Sequence, residues 1–193
     1  IQFSDPSRNL YAYGEIYEQE EKKIIKQFVR DSDNCIDVGA NIGFYTWQFL
    51  KNSSFQGNIY SFECLKEVHQ ILEKNFLDFK NVKIYNGYVG SDESKNFLVP
   101  DKLIKEKISF IKIDIDGPDY NALKGCENLI DQFSPKIIIE LCENSFENWN
   151  IHYSEIINFL KNKKYKCYEI KNLNEEFNRS LYKNEVINIF AIK

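Results

Sequence analysis

Short runs rich in β-branched or aromatic residues recur along the chain at 35–38, 58–62, 82–86, 109–115 and 136–141, and helical patterns fall between most of them at 44–51, 65–78 and 120–132. Strands that alternate with helices leave few folds open, because each helix must carry the chain back across the sheet before the next strand starts. The expectation is an α/β fold with a mostly parallel sheet and helices on both faces. A helix at 18–29 precedes the first strand, with Ile24, Ile25, Phe28 and Val29 on one face. The helix at 120–132 opens after Gly117-Pro118, where a proline suits a helix start. After a last helix at 153–162, the runs at 165–170 and 186–192 can pair as an antiparallel hairpin at one edge of the sheet. The polar stretch between them, 171–184, carries no helical pattern of useful length.

A length of 193 residues, 43% of them apolar and 28% charged, fits one globular domain with a sizeable core. The expected division is an N-terminal segment and helix over 1–30, a cofactor-binding core over 31–143, and a C-terminal helix and hairpin over 144–193. The net charge of −4, with no block of like charge beyond 161–166, supplies no basic footprint for a nucleic-acid backbone. Nucleic acid is therefore not expected as a partner. Five cysteines stand singly without a CxxC pair, which argues against a disulfide framework or zinc site and for a cytoplasmic setting. No apolar run approaches a membrane span, and the first residues do not read as a signal peptide. The sequence contains no methionine, so Ile1 is not a translation start and the chain is expected to be part of a longer one.

The acids fall in a regular place. The strand runs end on Asp37, on Glu63, on Asp114 and Asp116, and on Glu140. In a doubly wound parallel sheet these carboxyl ends share one edge, and ligands bind in the crevice outside it. A cluster of carboxylates in one cleft is expected. After Asp37, Gly39 and Gly43 bracket Ala40-Asn41-Ile42 in a tight strand-to-helix turn. A dinucleotide fingerprint needs G-x-G-x-x-G and a P-loop needs GK[ST]; the spacing here is G-x-x-x-G. Glu63, 20 residues beyond Gly43, stands where an acid accepts from ribose hydroxyls. The residues suit a ligand with ribose and without pyrophosphate.

DVGANIG at 37–43, SFE at 61–63, IKIDIDGPDYNALKG at 111–125 and PKIIIELCE at 135–143, with Tyr17-Glu18 upstream, resemble the FkbM-type family of S-adenosylmethionine-dependent methyltransferases. The resemblance implies the Rossmann-like class I methyltransferase fold, a seven-stranded sheet whose last strand is antiparallel, and S-adenosylmethionine as cofactor. Carried over by motif, Asp37, Gly39, Asn41 and Gly43 line the methionine portion, Glu63 holds the ribose, and Tyr88 and Val89 lie against adenine. Glu18 matches an acid placed before the first helix and is counted with the cofactor residues. The sequence departs from the family where Asp116 and Asp119 stand in place of glutamates, and where the segment between Gly90 and Ile108 is short and reads Val99-Pro100-Asp101.

Methylating a hydroxyl also calls for a base near the acceptor. Asp116, Asp114 and Glu140 are the candidates by position, with Asp116 or Asp114 preferred and Asp114 alternatively on the cofactor's amino group. His152 and Trp149, in the loop after Glu140, are placed at the acceptor; a lone histidine in such a loop is more often structural, and Trp149 and Phe146 equally stack on a sugar or simply pack. The same carboxylates suit Mg²⁺, but the resemblance does not require it and no metal ligand is assigned. The expected function is O-methylation of a hydroxyl on a small molecule, sugar or glycan. The alternatives are a non-catalytic S-adenosylmethionine-binding module of a larger protein, and a nucleotide-dependent oxidoreductase.

Overall fold

The computed structural model describes residues 18–51, 54–92, 96–142, 149, 151–178 and 186–193. Helix α1 (Gln19–Phe28) leads to β1 (Cys35–Val38) and α2 (Phe44–Leu50), then β2 (Ile59–Glu63) and α3 (Lys66–Asn75), then β3 (Val82–Asn86) and the short α4 (Pro100–Leu103). Strand β4 (Phe110–Ile113) is followed by α5 (Asp119–Gly125) and α6 (Glu127–Phe133), and β5 (Lys136–Leu141) by α7 (Tyr153–Asn162). Strands β6 (Lys166–Glu169), β7 (Asn172–Glu176) and β8 (Ile187–Ile192) close the chain. One eight-stranded sheet has the order β3-β2-β1-β4-β5-β8-β6-β7. The pairs from β3 to β5 are parallel, while β8 runs antiparallel to both β5 and β6.

The closing strands pair as expected but are arranged differently. Strand β8 is inserted between β5 and β6, not at the edge, and the edge is a strand the sequence reading left as polar loop, β7. Its residues NLNEE are exposed or half-buried, so backbone bonds to β6 hold it and no hydrophobic period marks it. Among the described residues the sheet therefore has eight strands where seven were expected. The helix expected over 120–132 is two helices that meet at Cys126 (φ −106°, ψ 12°). Asp101 of α4 caps the second one, accepting from Asn128 N at 2.8 Å and Leu129 N at 2.9 Å.

Apolar side chains cover both faces. Ile36, Val38, Ile111, Ile113, Ile137 and Ile139 point to the layer of α5, α6 and α7, whereas Cys35, Ile59, Phe110, Ile138 and Phe190 meet α1 and α2. Burying each such Ile or Phe contributes about 1.5–3 kcal/mol, and the central strands are thereby fixed as a rigid platform. The register sets Asp37 opposite Ser61 on one side and Lys112 on the other, a polar row on the face covered by α1 and α2. Among the described residues no helix is long and apolar enough to cross a membrane.

Candidate active site

The turn after β1 takes positive φ at Gly39 (81°), Asn41 (51°) and Gly43 (100°). A Cβ on Gly39 would stand 1.9 Å from the carbonyl oxygen of Asp114, so only glycine lets the turns after β1 and β4 approach this closely. All five amides from 39 to 43 are engaged. Gly39 N and Ala40 N donate to Phe62 O, Asn41 N to Glu63 Oε2 at 2.9 Å, Ile42 N to Asn41 Oδ1, and Gly43 N to Ala40 O. The other Glu63 oxygen, Oε1, accepts from Leu65 N at 2.8 Å. Glu63 thus clasps two turns, and each of its oxygens keeps acceptor capacity. At the neighbouring strand end, Gly90 N donates to Leu98 O and Leu98 N to Tyr88 O, which buries Val89 and leaves the Tyr88 side chain 51% exposed.

Asp37 is placed one layer deeper than its expected seat on the cofactor. It is fully buried beneath the turn, where Thr46 Oγ1 donates to Oδ2 at 2.6 Å and also lies 2.7 Å from Ser61 Oγ. Burial pushes its carboxyl up to about 6, opposed by the Thr46 bond and the Lys112 charge. Asp37 braces the turn from below.

Asp114, Asp116 and Glu140 each place an oxygen within 4.8 Å of the others at the carboxyl edge. Asp116 is exposed on a residue with φ 53°. Asp119 is buried and accepts from Ile115 N and Gly117 N at 3.0 and 2.9 Å, so it shapes the loop that carries Asp116. Glu140 is half-buried, and its carboxyl is pushed up to about 8 by burial, then by Asp114, Asp116 and Asp119, with Lys112 opposing.

Sequence reasoning missed Lys112. It is fully buried in β4, with Nζ 2.9 Å from Asp114 Oδ2, 3.4 Å from Asn188 Oδ1 and 4.7 Å from the centre of the Tyr45 ring. A lysine inside the run FIKI of a central strand is the signal that could have found it: such a side chain must be buried, and a buried cation must be paired. Glu18, in the left-handed conformation (φ 47°) at the head of α1, is near enough for Lys112 and the Tyr45 hydroxyl to favour its ionised form, although burial outweighs them and raises its pKa. With a fixed ammonium already on Asp114, the three carboxylates are not assigned as metal ligands.

His152 is the N-cap of α7. Its Nδ1 lies 3.3 Å from Ser154 N and 2.7 Å from Ser154 Oγ, while Glu155 accepts from His152 N, a capping box that commits one ring nitrogen to the helix. Trp149 is exposed. Phe146 and Tyr17 lie outside the described residues.

A central β1, acids at the carboxyl edge and an antiparallel β8 define the class I methyltransferase fold. A family model described as the methyltransferase FkbM domain matches residues 95–167. The structure resembles an FkbM methyltransferase from Methylobacillus flagellatus (TM-score 0.62, 15% identity, 88% of this chain and 50% of that one). It also resembles a putative rRNA methylase from Clostridium thermocellum (TM-score 0.61, 17% identity, 91% and 94%). A putative methyltransferase from Streptococcus mutans, solved with S-adenosylhomocysteine, matches as well (TM-score 0.60, 14% identity, 91% and 96%). In sequence, 58 residues are 36% identical to ribosomal RNA small subunit methyltransferase A of Levilactobacillus brevis, 30% of this chain and 19% of that protein. The chain thus spans about a fifth of that curated relative and half of the FkbM structure.

These similarities correct one expectation. Relatives named as rRNA methyltransferases overturn the exclusion of nucleic acid from the partners. The physical reason is that a net charge is a sum over the whole surface. A groove of about 820 Å³ beside α1 and α2 is lined by Lys22, Lys23, Lys26, Arg30 and Lys51 against Asp31, a local excess of cations that the total of −4 conceals.

Proposed function

We propose that the protein is an S-adenosylmethionine-dependent methyltransferase acting on a hydroxyl of a small molecule, sugar or glycan. The observation that carries the reading is the turn at 39–43. Its amides are all engaged and offer nothing to a pyrophosphate, while Glu63 presents two fixed carboxylate oxygens suited to a ribose diol. That donor set fits a cofactor with ribose and adenine and no phosphate.

In this reading Glu63 holds the ribose, Tyr88 and Val89 flank adenine, and Gly39, Asn41 and Gly43 shape the seat of the methionine portion above the brace formed by Asp37. When bound, the sulfonium supplies an activated methyl group, so much of the catalytic task is holding the acceptor oxygen in line. The remaining task is the acceptor's proton. Asp114 is paired with an ammonium, and Asp116, although its carboxyl is raised by partial burial and then by Asp114, is the more exposed of the other two. Glu140, whose carboxyl is pushed up to about 8 by burial and by the neighbouring carboxylates, is matched to that role. The assignment therefore moves from Asp116 or Asp114 to Glu140, with Asp116 beside it. Trp149 and His152 are assigned to the acceptor in this reading. The setting proposed is cytoplasmic, which suits five cysteines that stand singly in the sequence.

A second reading, an RNA hydroxyl as acceptor, is favoured by the names of the rRNA methyltransferase relatives and by the cation-lined groove. Both readings are tested by incubating the protein with methyl-labelled S-adenosylmethionine and separate pools of small molecules, glycans and RNA. Label in a hydroxyl of one pool is expected. Cofactor binding with no label in any pool would instead favour a non-catalytic module, and melting-temperature stabilisation by NAD but not by S-adenosylmethionine would favour an oxidoreductase.

A further inference from the structure

We infer that Lys112 is a built-in cation that divides the carboxylate cluster by contact: its ammonium is bound to Asp114 at 2.9 Å and leaves Glu140 as the member that takes the acceptor's proton. The inference deepens the proposed function and rests on it for the identity of the proton donor, but the division itself is a property of the cofactor-free protein. Lys112 has no exposed surface, and an ammonium withdrawn from water without partners would be prohibitively costly. Its partners come from several elements. Asp114 after β4 takes the short contact at 2.9 Å, and Asn188 of β8 offers Oδ1 at 3.4 Å. Asn188 is in turn held from α1, donating through Nδ2 to Glu21 Oε1 at 3.0 Å. The face of Tyr45 on α2 lies over the ammonium, a favourable cation–π placement. The polar row thus runs from α1 through β8 to β4 and ends on the carboxylate at the sheet edge.

The groups that face this pair among the described residues are Glu18 and Glu21 of α1, Tyr45 of α2, Asp37 of β1, and Asp116 and Asp119 beyond β4. Around Lys112 the balance favours the charged amine. Burial pulls its pKa down, but Asp114, Glu18 and Glu140 outweigh it and leave the value above the ordinary 10.5. Around Glu140 the balance is reversed, because burial and three neighbouring carboxylates oppose ionisation and Lys112 alone favours it. A carboxylate bound to an ammonium makes a poor base, whereas one whose ionisation is opposed by its neighbours holds a transferred proton near neutral pH. A bound sulfonium would supply the methyl group to the acceptor oxygen and would keep the electron pair of the broken carbon–sulfur bond. The hydroxyl proton passes to the Glu140 carboxylate and then to water. Lys112 touches neither acceptor nor methyl group in this scheme and is a positioning residue.

The test is carbon-13 NMR titration of the glutamate carboxyls in cofactor-free protein, with the Glu140 signal assigned from Glu140→Gln. Wild-type Glu140 is expected to titrate near 8. In Lys112→Met its midpoint should rise by about one unit or more, and Lys112→Arg should return it to within about half a unit of wild type. An unchanged midpoint in Lys112→Met overturns the inference, whether or not the protein is a methyltransferase. Should Lys112→Met fail to fold, nitrogen-15 detection of the wild-type lysine amines decides. A slowly exchanging ammonium that stays charged to its ordinary value of 10.5 supports the inference, and an amine already neutral below that overturns it. Where labelled transfer is detected, the pH–rate midpoint should move upward in Lys112→Met in step with the carboxyl titration; a rate lost at all pH values with the midpoint unmoved would contradict the division of roles.

Discussion

Glu63→Gln separates what the carboxylate does for the fold from what it does for a ligand. In the folded chain Oε1 accepts from Leu65 N at 2.8 Å and Oε2 from Asn41 N at 2.9 Å, on a side chain only 7% exposed. Glutamine can satisfy one of those amides, but its NH₂ then faces the other. One charge-assisted bond is lost and a largely buried N–H is left unpaired, at a cost of about 1.5–3 kcal/mol. For a chain of this length each kcal/mol lowers the melting temperature by about 2–4 °C, so a drop of roughly 3–12 °C is expected. The ligand effect is separate. Losing charged acceptors for the ribose should weaken S-adenosylhomocysteine binding by about 10- to 100-fold in calorimetry, because each 1.4 kcal/mol is a factor of ten. A ribose-deoxygenated analogue supplies the control: wild type should prefer the natural ligand, and the variant should lose most of that preference. A lower melting temperature with unchanged affinity and unchanged preference would refute the reasoning and leave Glu63 as a clasp between two turns.

Two further predictions test the packing and electrostatics around the site. Asp101→Ala removes both oxygens that cap α6 at Asn128 and Leu129, and should cost about 1–2 kcal/mol in urea unfolding without changing cofactor affinity. Glu140 is held at about 8 against an ordinary 4.5, so the folded chain keeps a proton that the unfolded chain has released between those values. Its contribution to stability is full below 4.5 and is lost as pH rises through about 8. The urea midpoint of wild type should therefore fall over that window more steeply than that of Glu140→Gln, and parallel curves would contradict the assignment.

The elements that were legible in the sequence are those with a strong apolar signature. Strands β1, β3 and β5 and helix α7 begin and end where their apolar patterns do. The edge strand β7 was not legible, because a solvated strand held by backbone bonds leaves no period in its side chains. The break at Cys126 depends on Asp101, a cap supplied from a distant part of the chain, and a pattern confined to 120–132 does not contain it. For the site, the placement of acids at strand ends brought Asp114, Asp116 and Glu140 together correctly, since topology alone decides which ends share an edge. Their ranking was not legible. It depends on Lys112 and on burial, and neither appears when acids are counted by position. Asp37 shows the same limit, since its place below the turn follows from Thr46 and Ser61 across two other elements.

The central claim is that the turn at 39–43 and Glu63 form a seat for a ribose-bearing cofactor without phosphate. Calorimetric titration of the purified chain with S-adenosylmethionine and, separately, with NAD tests it most directly. The account predicts saturable one-to-one binding of S-adenosylmethionine and no measurable heat with NAD. Binding of NAD with none of S-adenosylmethionine would contradict it.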